Sequence, residues 1–183
     1  MAERGIERLN SLTHDEAEGE LLKCCGSTAW ACAMSASRPF GDADELGRAA
    51  DEVWSRLERD DWLEAFSRHP KIGEREAAAG QSRQEQGWSS QEQSGVGGSG
   101  EAARAELAEL NREYEVKFGH VFLICATGKS ADEMLADLRE RLRNEPEDEI
   151  KRAAEEQRLI TRLRLGKLLD GWAQDRGRSG GET

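Results

Sequence analysis

His69 stands directly before Pro70 and has the clearest potential for proton transfer in this chain. Imidazole titrates close to neutral pH, so this side chain could act as a general acid or a general base. Because proline disfavours helical geometry for the residue before it, we expect His69 just past the end of a helix. A lone histidine at a helix end is more often a simple cap, and the sequence leaves both roles open.

Arg164 interrupts the apolar stripe of the last predicted helix. With Ile150 at 0° and about 100° per residue, Ile160 falls at about 280°, Arg164 at about 320° and Leu168 near 0°. An unpaired buried charge costs several kcal/mol. Arg164 must therefore pair with a buried acid or face a cavity that receives an anion. The structural pair is the commoner arrangement, and the sequence permits either.

Residues 80–100 form a third unusual feature, a tract rich in Gly, Ser and Gln. This composition predicts a flexible connector. A structureless loop of such length inside a compact domain is uncommon unless it serves a site. Its hydroxyl, carboxylate and amide groups, among them Ser89, Glu92 and Gln93, could line one.

Charge and composition exclude several classes of protein. The 183 residues carry 26 Lys and Arg against 37 Asp and Glu, a formal net charge of −11. Nucleic-acid binding requires a basic face, so nucleic acid is not an expected partner. No stretch approaches the length of apolar sequence that a membrane helix needs, and the N-terminus lacks the layout of a signal peptide. We therefore predict a soluble, cytoplasmic protein that binds no membrane.

The cysteines and histidines indicate neither a disulfide framework nor a metal site. Cys24, Cys25, Cys32 and Cys125 include no C-x-x-C pair, and the adjacent Cys24 and Cys25 could hardly bridge each other without strain. Reduced thiols in a cytoplasm fit this pattern. The histidines lie at positions 14, 69 and 120, far apart in the sequence. We therefore predict no metal in the site.

Helical periodicity dominates the remainder of the chain. Capping boxes at Thr13-x-x-Glu16 and Ser130-x-x-Glu133 begin two helices, Ser27 and Asp42 cap two others, and Pro146 suits the first turn of the last helix. The apolar run 121–126 indicates one short buried extended segment. The predicted fold is all-α, a single-domain bundle of about seven to eight helices over residues 1–174, with 80–100 as a flexible site loop and 175–183 as a disordered tail.

Seven motifs occur in the order in which one enzyme family has them. They are Asn10-Ser11-Leu12, Cys24-Cys25-Gly26-Ser27-x-x-Trp30, Arg38-Pro39-Phe40, Ala65-Phe66-x-x-His69-Pro70-x-Ile72-Gly73, Ser89-x-x-Glu92-Gln93, Tyr114-x-x-x-Phe118-Gly119 and Ile160-Thr161-x-Leu163-Arg164-Leu165. Together they resemble the 2-oxo-4-hydroxy-4-carboxy-5-ureidoimidazoline (OHCU) decarboxylases of urate degradation, in their bacterial form. The resemblance covers about residues 7–172.

The resemblance implies an all-helical enzyme without a cofactor, usually a homodimer, that converts a small-molecule substrate to (S)-allantoin and CO2. It implies His69 and Glu92 as catalytic residues. The residues that it implies for substrate binding are Pro70, Ser89, Gln93, Phe122, Ile124 and Arg164, with main-chain groups contributed by the segment 120–124. The sequence departs from the family in Gly119-His120-Val121-Phe122, which leaves the role of His120 open, and in the Gly- and Ser-rich tract after Glu92.

The sequence leaves two other functions open. One is a helical interaction module, in which the tryptophans form only a core and residues 80–100 bind a partner. The other is a related enzyme of purine breakdown that acts on a different ureido compound. Substrate scope and the chirality of the product would distinguish that enzyme from an OHCU decarboxylase.

Overall fold

The structure is a computed structural model that describes residues 2–72, 81–97 and 101–175. The chain divides into two compact units, of which unit 1 comprises residues 1–61 with 158–183 and unit 2 comprises residues 62–157. The predicted tail lies outside the described residues, except for Asp175, which ends the last helix.

The described residues form nine helices of at least nine residues and one four-residue helical turn, with no strand among them. They are α1 (Ala2–Ser11), α2 (His14–Cys25), α3 (Thr28–Ala36), α4 (Ala43–Ser55), α5 (Arg59–Ser67), α6 (Arg83–Glu92), the turn α7 (Ser94–Gly97), α8 (Glu101–Phe118), α9 (Ala131–Arg141) and α10 (Pro146–Asp175). The predicted all-α class is confirmed. No described helix is both long and apolar enough to cross a bilayer.

The predicted helix starts are confirmed. Thr13 and Ser130 are the N-caps of α2 and α9, and each forms the reciprocal capping box with the glutamate three residues later. Those backbone hydrogen bonds lower the pKa of Glu16 and of Glu133. Gly26 ends α2 with a φ of 88°, a left-handed conformation that favours glycine.

The predicted count of seven to eight helices is too low. The additional elements are α1, whose Ile6 and Leu9 are buried, and the pair α6 and α7 within the tract that composition assigns to a connector. A capping box explains the start of α6, because the Ser82 N–H donates to Glu85 Oε2 at 2.7 Å and Ser82 accepts from the Glu85 N–H.

Unit 1 packs α1 to α4 with the C-terminal part of α10 around a core of large apolar side chains. The core includes Leu9, Leu21, Trp30, Met34, Leu46 and Leu168. Trp30 Nε1 donates to the carbonyl of Ala50 at 3.1 Å, which fixes α3 against α4. Asp51 on α4 accepts hydrogen bonds from Arg158 and Arg162 on α10. These contacts join helices that are far apart in the sequence.

Unit 2 is built around an apolar cluster that includes Leu107, Tyr114, Phe122, Met134 and Leu138. Residues 120–126 are mostly buried, as predicted, but they form no strand. A strand would need a neighbouring strand for its backbone groups. Side chains supply those partners here, since Arg141 donates to the carbonyl of Leu123 at 2.6 Å and Glu156 accepts from the Cys125 N–H at 2.8 Å.

Candidate active site

His69 lies two residues past the end of α5, which confirms its predicted position. Its backbone N–H donates to the carbonyl of Phe66 at 3.1 Å and completes the last turn. The residue is 8% exposed. A histidine so close to full burial is not a solvated cap on the surface of the protein.

The backbone that follows His69 and the half-buried Pro70 is fixed to α8. Asn111 is itself buried, and its side-chain amide donates to the carbonyl of Ile72 at 2.9 Å. Lys71 pairs with Glu115 of α8 at 3.0 Å. Two contacts from one helix therefore determine where the His69 segment lies in unit 2.

Helix α6 carries a buried polar face. Glu85, Ser89 and Glu92 follow helical spacing and are each at least nine-tenths buried. Gln93 is the half-buried C-cap of the helix. A helix that buries hydroxyl and carboxylate groups must give them partners, so this face requires polar surroundings.

Gln81 connects the His69 segment to α6. Its side-chain amide donates to the carbonyl of Arg68 at 2.8 Å and contacts Ser89 Oγ at 3.4 Å. Since Arg68 immediately precedes His69, one amide reaches both the histidine segment and the polar face of α6. The predicted residues His69 and Ser89 are thus brought into the same region of unit 2.

The Glu92 carboxylate lies near Cys125, which belongs to the buried segment 120–126. Burial raises the pKa of the Cys125 thiol, and the nearby carboxylates of Glu156 and Glu92 raise it further. An electrostatic effect of this kind requires that Glu92 lies close to Cys125. The end of α5, the polar face of α6 and the segment 120–126 therefore border one region.

His120 packs among aromatic rings at the start of that segment. Its ring centroid lies 5.2 Å from that of Phe66 and 5.5 Å from that of Tyr114. Nδ1 lies 3.0 Å from the carbonyl of Val121, and a carbonyl only accepts, so Nδ1 carries the proton in this contact. The aromatic contacts tie the segment to α5 and α8.

A buried network holds the same segment from the side of α9. Arg141 Nη1 donates to the carbonyl of Leu123, while Nε and Nη2 contact Glu149 Oε1 at 2.8 and 2.6 Å. Glu149 is fully buried and also accepts from the hydroxyl of Tyr114 and, at 2.7 Å, from Asn144. Burial raises the pKa of Tyr114, so its hydroxyl stays protonated as a donor.

Phe122 and Ile124, predicted in the site, are both buried within this framework. The Arg141 guanidinium lies 4.7 Å from the centre of the Phe122 ring, and Tyr114 meets that ring edge-on at 5.3 Å. Such cation–π and edge contacts fix the ring orientation. The main chain at 122–124 is therefore held rigidly.

Arg164 belongs to unit 1 and is 2% exposed, which confirms the predicted burial. It lies close enough to Cys24 to influence that thiol: burial raises the Cys24 pKa, and the positive charge of Arg164 partly opposes the increase. Its neighbours on the helix, Ile160 and Leu168, are buried as the helical angles predict.

A sequence profile of the OHCU decarboxylase family matches residues 10–166. The chain belongs to this family. A match of this extent includes every residue that the sequence predicts for the site, from His69 to Arg164.

Two relatives and one solved structure agree with the OHCU decarboxylase assignment. The uric acid degradation bifunctional protein TTL of Arabidopsis thaliana is 39% identical over 157 residues, covering 86% of this chain and 48% of that protein. The OHCU decarboxylase of Amia calva is 31% identical over 173 residues, covering 90% of this chain and 94% of that one. A crystal structure of OHCU decarboxylase in the presence of (S)-allantoin is 39% identical, with a TM-score of 0.71 over 82% of this chain and 97% of that chain. The chain therefore spans about half of the Arabidopsis protein.

Several residues that hold the elements of this candidate site are not predicted by the sequence. They are Gln81, Gly95, Asn111, Arg141, Glu149 and Glu156. The burial of Arg141 was predictable, because this arginine stands three residues after Leu138 and interrupts the apolar stripe of α9. Arg164 interrupts the stripe of α10 in the same way. No sequence pattern marks Gln81 or Asn111, because each donates a hydrogen bond to the carbonyl of a residue that is distant in the sequence.

Gly95 on α7 packs so closely against Lys129 that a Cβ atom at this position would lie 2.0 Å from the Lys129 carbonyl oxygen. We predict that Gly95→Ala lowers kcat/KM about 10- to 100-fold, because α7 must shift and Glu92 and Gln93 immediately precede it. Gly87→Ala on α6 is the matched control, since nothing lies within 4 Å of a Cβ there. It should retain full activity and stabilise the fold by about 0.5–1 kcal/mol. Equal activity of the two variants would contradict the prediction.

Proposed function

We propose that this protein decarboxylates OHCU to (S)-allantoin and CO2 in urate degradation without a cofactor. Membership of the OHCU decarboxylase family supports this reaction. The single structural observation that carries the proposal is the Gln81 side chain, which contacts both the carbonyl before His69 and the Ser89 hydroxyl. It joins a buried imidazole and a buried polar helix face, the two components that proton transfer to an oriented substrate requires.

The substrate itself supplies the route for the electrons. Its carboxylate sits on a carbon that bears a hydroxyl and adjoins a C=N bond. When the bond to the carboxylate breaks, CO2 leaves and the electron pair enters the unsaturated system, so no external electron sink is needed. The protein must orient the carboxylate, manage the hydroxyl proton and protonate one carbon from one face.

We assign the proton transfers to His69, acting at the hydroxyl or at the nascent carbanionic centre that receives the electron pair. Glu92 orients the imidazole or a substrate nitrogen. Ser89 and Gln93 bind polar atoms of the ring. The near-complete burial of His69, Ser89 and Glu92 supports these roles, because hydrogen bonds and charges act more strongly where water is excluded.

Residues 120–124 contribute main-chain groups around Phe122 and Ile124, and Pro70 keeps the backbone after His69 rigid. Arg141 and Glu156 are positioning residues in this proposal. They hold the Leu123 carbonyl and the Cys125 N–H from helices 18 and 31 residues away in sequence. A main chain held in this way is preorganised for a substrate.

Glu92→Gln should lower kcat about 10- to 100-fold with little change in KM, because the amide keeps the shape of the carboxylate but loses its charge. Steady-state kinetics measure both constants. The exposed neighbour Gln91 provides the control, and Gln91→Ala should behave as the wild type. Full activity of Glu92→Gln would remove Glu92 from the reaction.

Arg164 is proposed to bind an oxygen pair or the ureido carbonyl of the substrate through its planar guanidinium. Arg164→Leu should raise KM about 10- to 100-fold, the loss expected for a charge-assisted hydrogen bond. The melting temperature is measured alongside KM, because the loss of a structural partner of Arg164 would lower it. Arg162→Leu, which removes an exposed partner of Asp51, should leave KM unchanged. A lower melting temperature with unchanged KM would make Arg164 a structural residue only.

The family resemblance further implies a homodimer in the cytoplasm, with residues 1–174 as one domain. We propose these properties on that basis. Analytical ultracentrifugation at micromolar concentration should give about twice the chain mass of 20.3 kDa. A monomer at that concentration would contradict the dimer and leave the proposed chemistry intact.

Substrate scope separates the proposed function from its alternatives. OHCU generated in situ from urate should release CO2 much faster with the protein than without it, and a chelator should not change that rate. Other ureido compounds of purine breakdown should not react. An interaction module would give only the spontaneous rate, and turnover of another ureido compound instead of OHCU would identify the related enzyme.

A further inference from the structure

Three side chains with metal-binding donor atoms meet on the surface of unit 1. His14 begins α2, Glu18 follows one turn later, and Cys32 lies on the adjacent α3. One donor atom from each lies within 4.8 Å of the other two. His14 and Glu18 share one face of α2, but the third ligand comes from another helix, so no short sequence motif contains all three. None of the three is among the residues assigned to the decarboxylation.

Ser35 fixes the tautomer of His14. The Ser35 hydroxyl donates its single proton to the His14 carbonyl at 3.0 Å and lies 3.1 Å from His14 Nδ1. The second contact is a hydrogen bond only if Nδ1 is the donor. The neutral imidazole therefore carries its proton on Nδ1 and presents the lone pair of Nε2 toward Glu18. An oriented second nitrogen of this kind is characteristic of histidine metal ligands.

The separation of the donor atoms suits a bound ion better than a direct hydrogen bond. His14 Nε2 lies 3.6 Å from Glu18 Oε2, which is beyond the length of a charge-assisted hydrogen bond. Tetrahedral Zn²⁺ with ligand bonds of about 2.0–2.3 Å places its donor atoms about 3.3–3.8 Å apart. The His14 side chain is half exposed and Cys32 is exposed, so side-chain rotation can close the remaining distance.

We propose that His14, Glu18 and Cys32 bind one Zn²⁺ ion per chain, with water as the fourth ligand. Imidazole, carboxylate and thiolate together select zinc over Mg²⁺ and Ca²⁺, which prefer all-oxygen sites. Binding replaces the thiol proton of Cys32, which is released to solvent. The ion links α2 to α3, and so it stabilises the fold of unit 1.

Cobalt substitution tests the site in the full-length protein after treatment with a chelator. We expect one Co²⁺ per chain and an absorption band from charge transfer between thiolate and cobalt. Cys32→Ser should abolish that band and weaken Zn²⁺ binding, measured by calorimetry, at least tenfold. The half-buried Cys125 provides the control, and Cys125→Ser should keep the band. Equal Zn²⁺ affinity in Cys32→Ser and the wild type would indicate an adventitious ion only and overturn the proposal.

A second pair of variants tests the orienting role of Ser35. Ser35→Ala should weaken Zn²⁺ binding about 10- to 100-fold, the effect typical of losing a partner of a ligating histidine. Ser37, two residues later, donates to the Ala33 carbonyl, so Ser37→Ala should bind Zn²⁺ as the wild type does. Zn²⁺ should also raise the melting temperature of the wild type but not of Cys32→Ser. If Zn²⁺ raises both melting temperatures equally, the three residues do not form the site.

Discussion

Replacing His69 with asparagine lowers kcat about 10²- to 10⁴-fold, the range that a general acid or base contributes. Asparagine keeps a polar group of similar size but cannot exchange a proton near neutral pH. The helix preceding residue 69 ends with a backbone hydrogen bond to Phe66, which the substitution leaves in place. The melting temperature should therefore change little.

The measurement for His69→Asn is the initial rate of OHCU decay at saturating substrate. The exposed Ser67→Ala, two residues earlier, provides the control and should match the wild type. Far-ultraviolet circular dichroism verifies that both variants are folded. A folded His69→Asn protein with a rate within tenfold of the wild type would exclude His69 as the acid or base.

Arg141→Met destabilises the protein by about 3–5 kcal/mol, because it leaves the fully buried carboxylate of Glu149 without its cation. The Leu123 carbonyl also loses its donor. Urea unfolding measures this free energy. Arg139→Met is a closely matched control, since Arg139 lies on the same helix, α9, and pairs with Glu106 of α8 where solvent reaches both side chains.

The exposed pair formed by Arg139 should contribute less than about 1 kcal/mol. The difference in unfolding free energy between the two variants therefore measures the effect of burying the ion pair, because both variants lose an arginine from α9. If Arg141→Met lowers the free energy of unfolding no more than Arg139→Met does, the network around Glu149 does not hold the segment 120–126 in place.

Local features of the fold were predictable from sequence, whereas the supports of the site were not. The capping boxes at Thr13 and Ser130 depend on residues three positions apart, so the helix starts they predict are confirmed. The box at Ser82 and Glu85 has the same spacing. The high Gly and Ser content of residues 80–100 nevertheless predicts a flexible connector. The structure instead has helix α6 within this tract.

For the segment 120–126, the sequence predicts burial but not the residues that hold the segment in place. The apolar run 121–126 predicts a short buried extended segment; its burial is confirmed, and the described residues there form no strand. The difference lies in where its backbone groups find partners. Arg141 and Glu156 satisfy them from distant helices, and no local pattern around residue 123 or 125 reports those contacts. Likewise the burial of Arg164 follows from helical angles, but the group that its guanidinium binds does not.

The stereochemistry of the product tests the central claim most directly. OHCU is generated in situ from urate, and the circular dichroism of the allantoin that forms is followed over time. Spontaneous decay produces a racemate and no signal. The wild-type protein should rapidly produce the signal of (S)-allantoin, and His69→Asn should show only the slow, signal-free reaction. A racemic product formed at the spontaneous rate in the presence of wild-type protein would contradict the account.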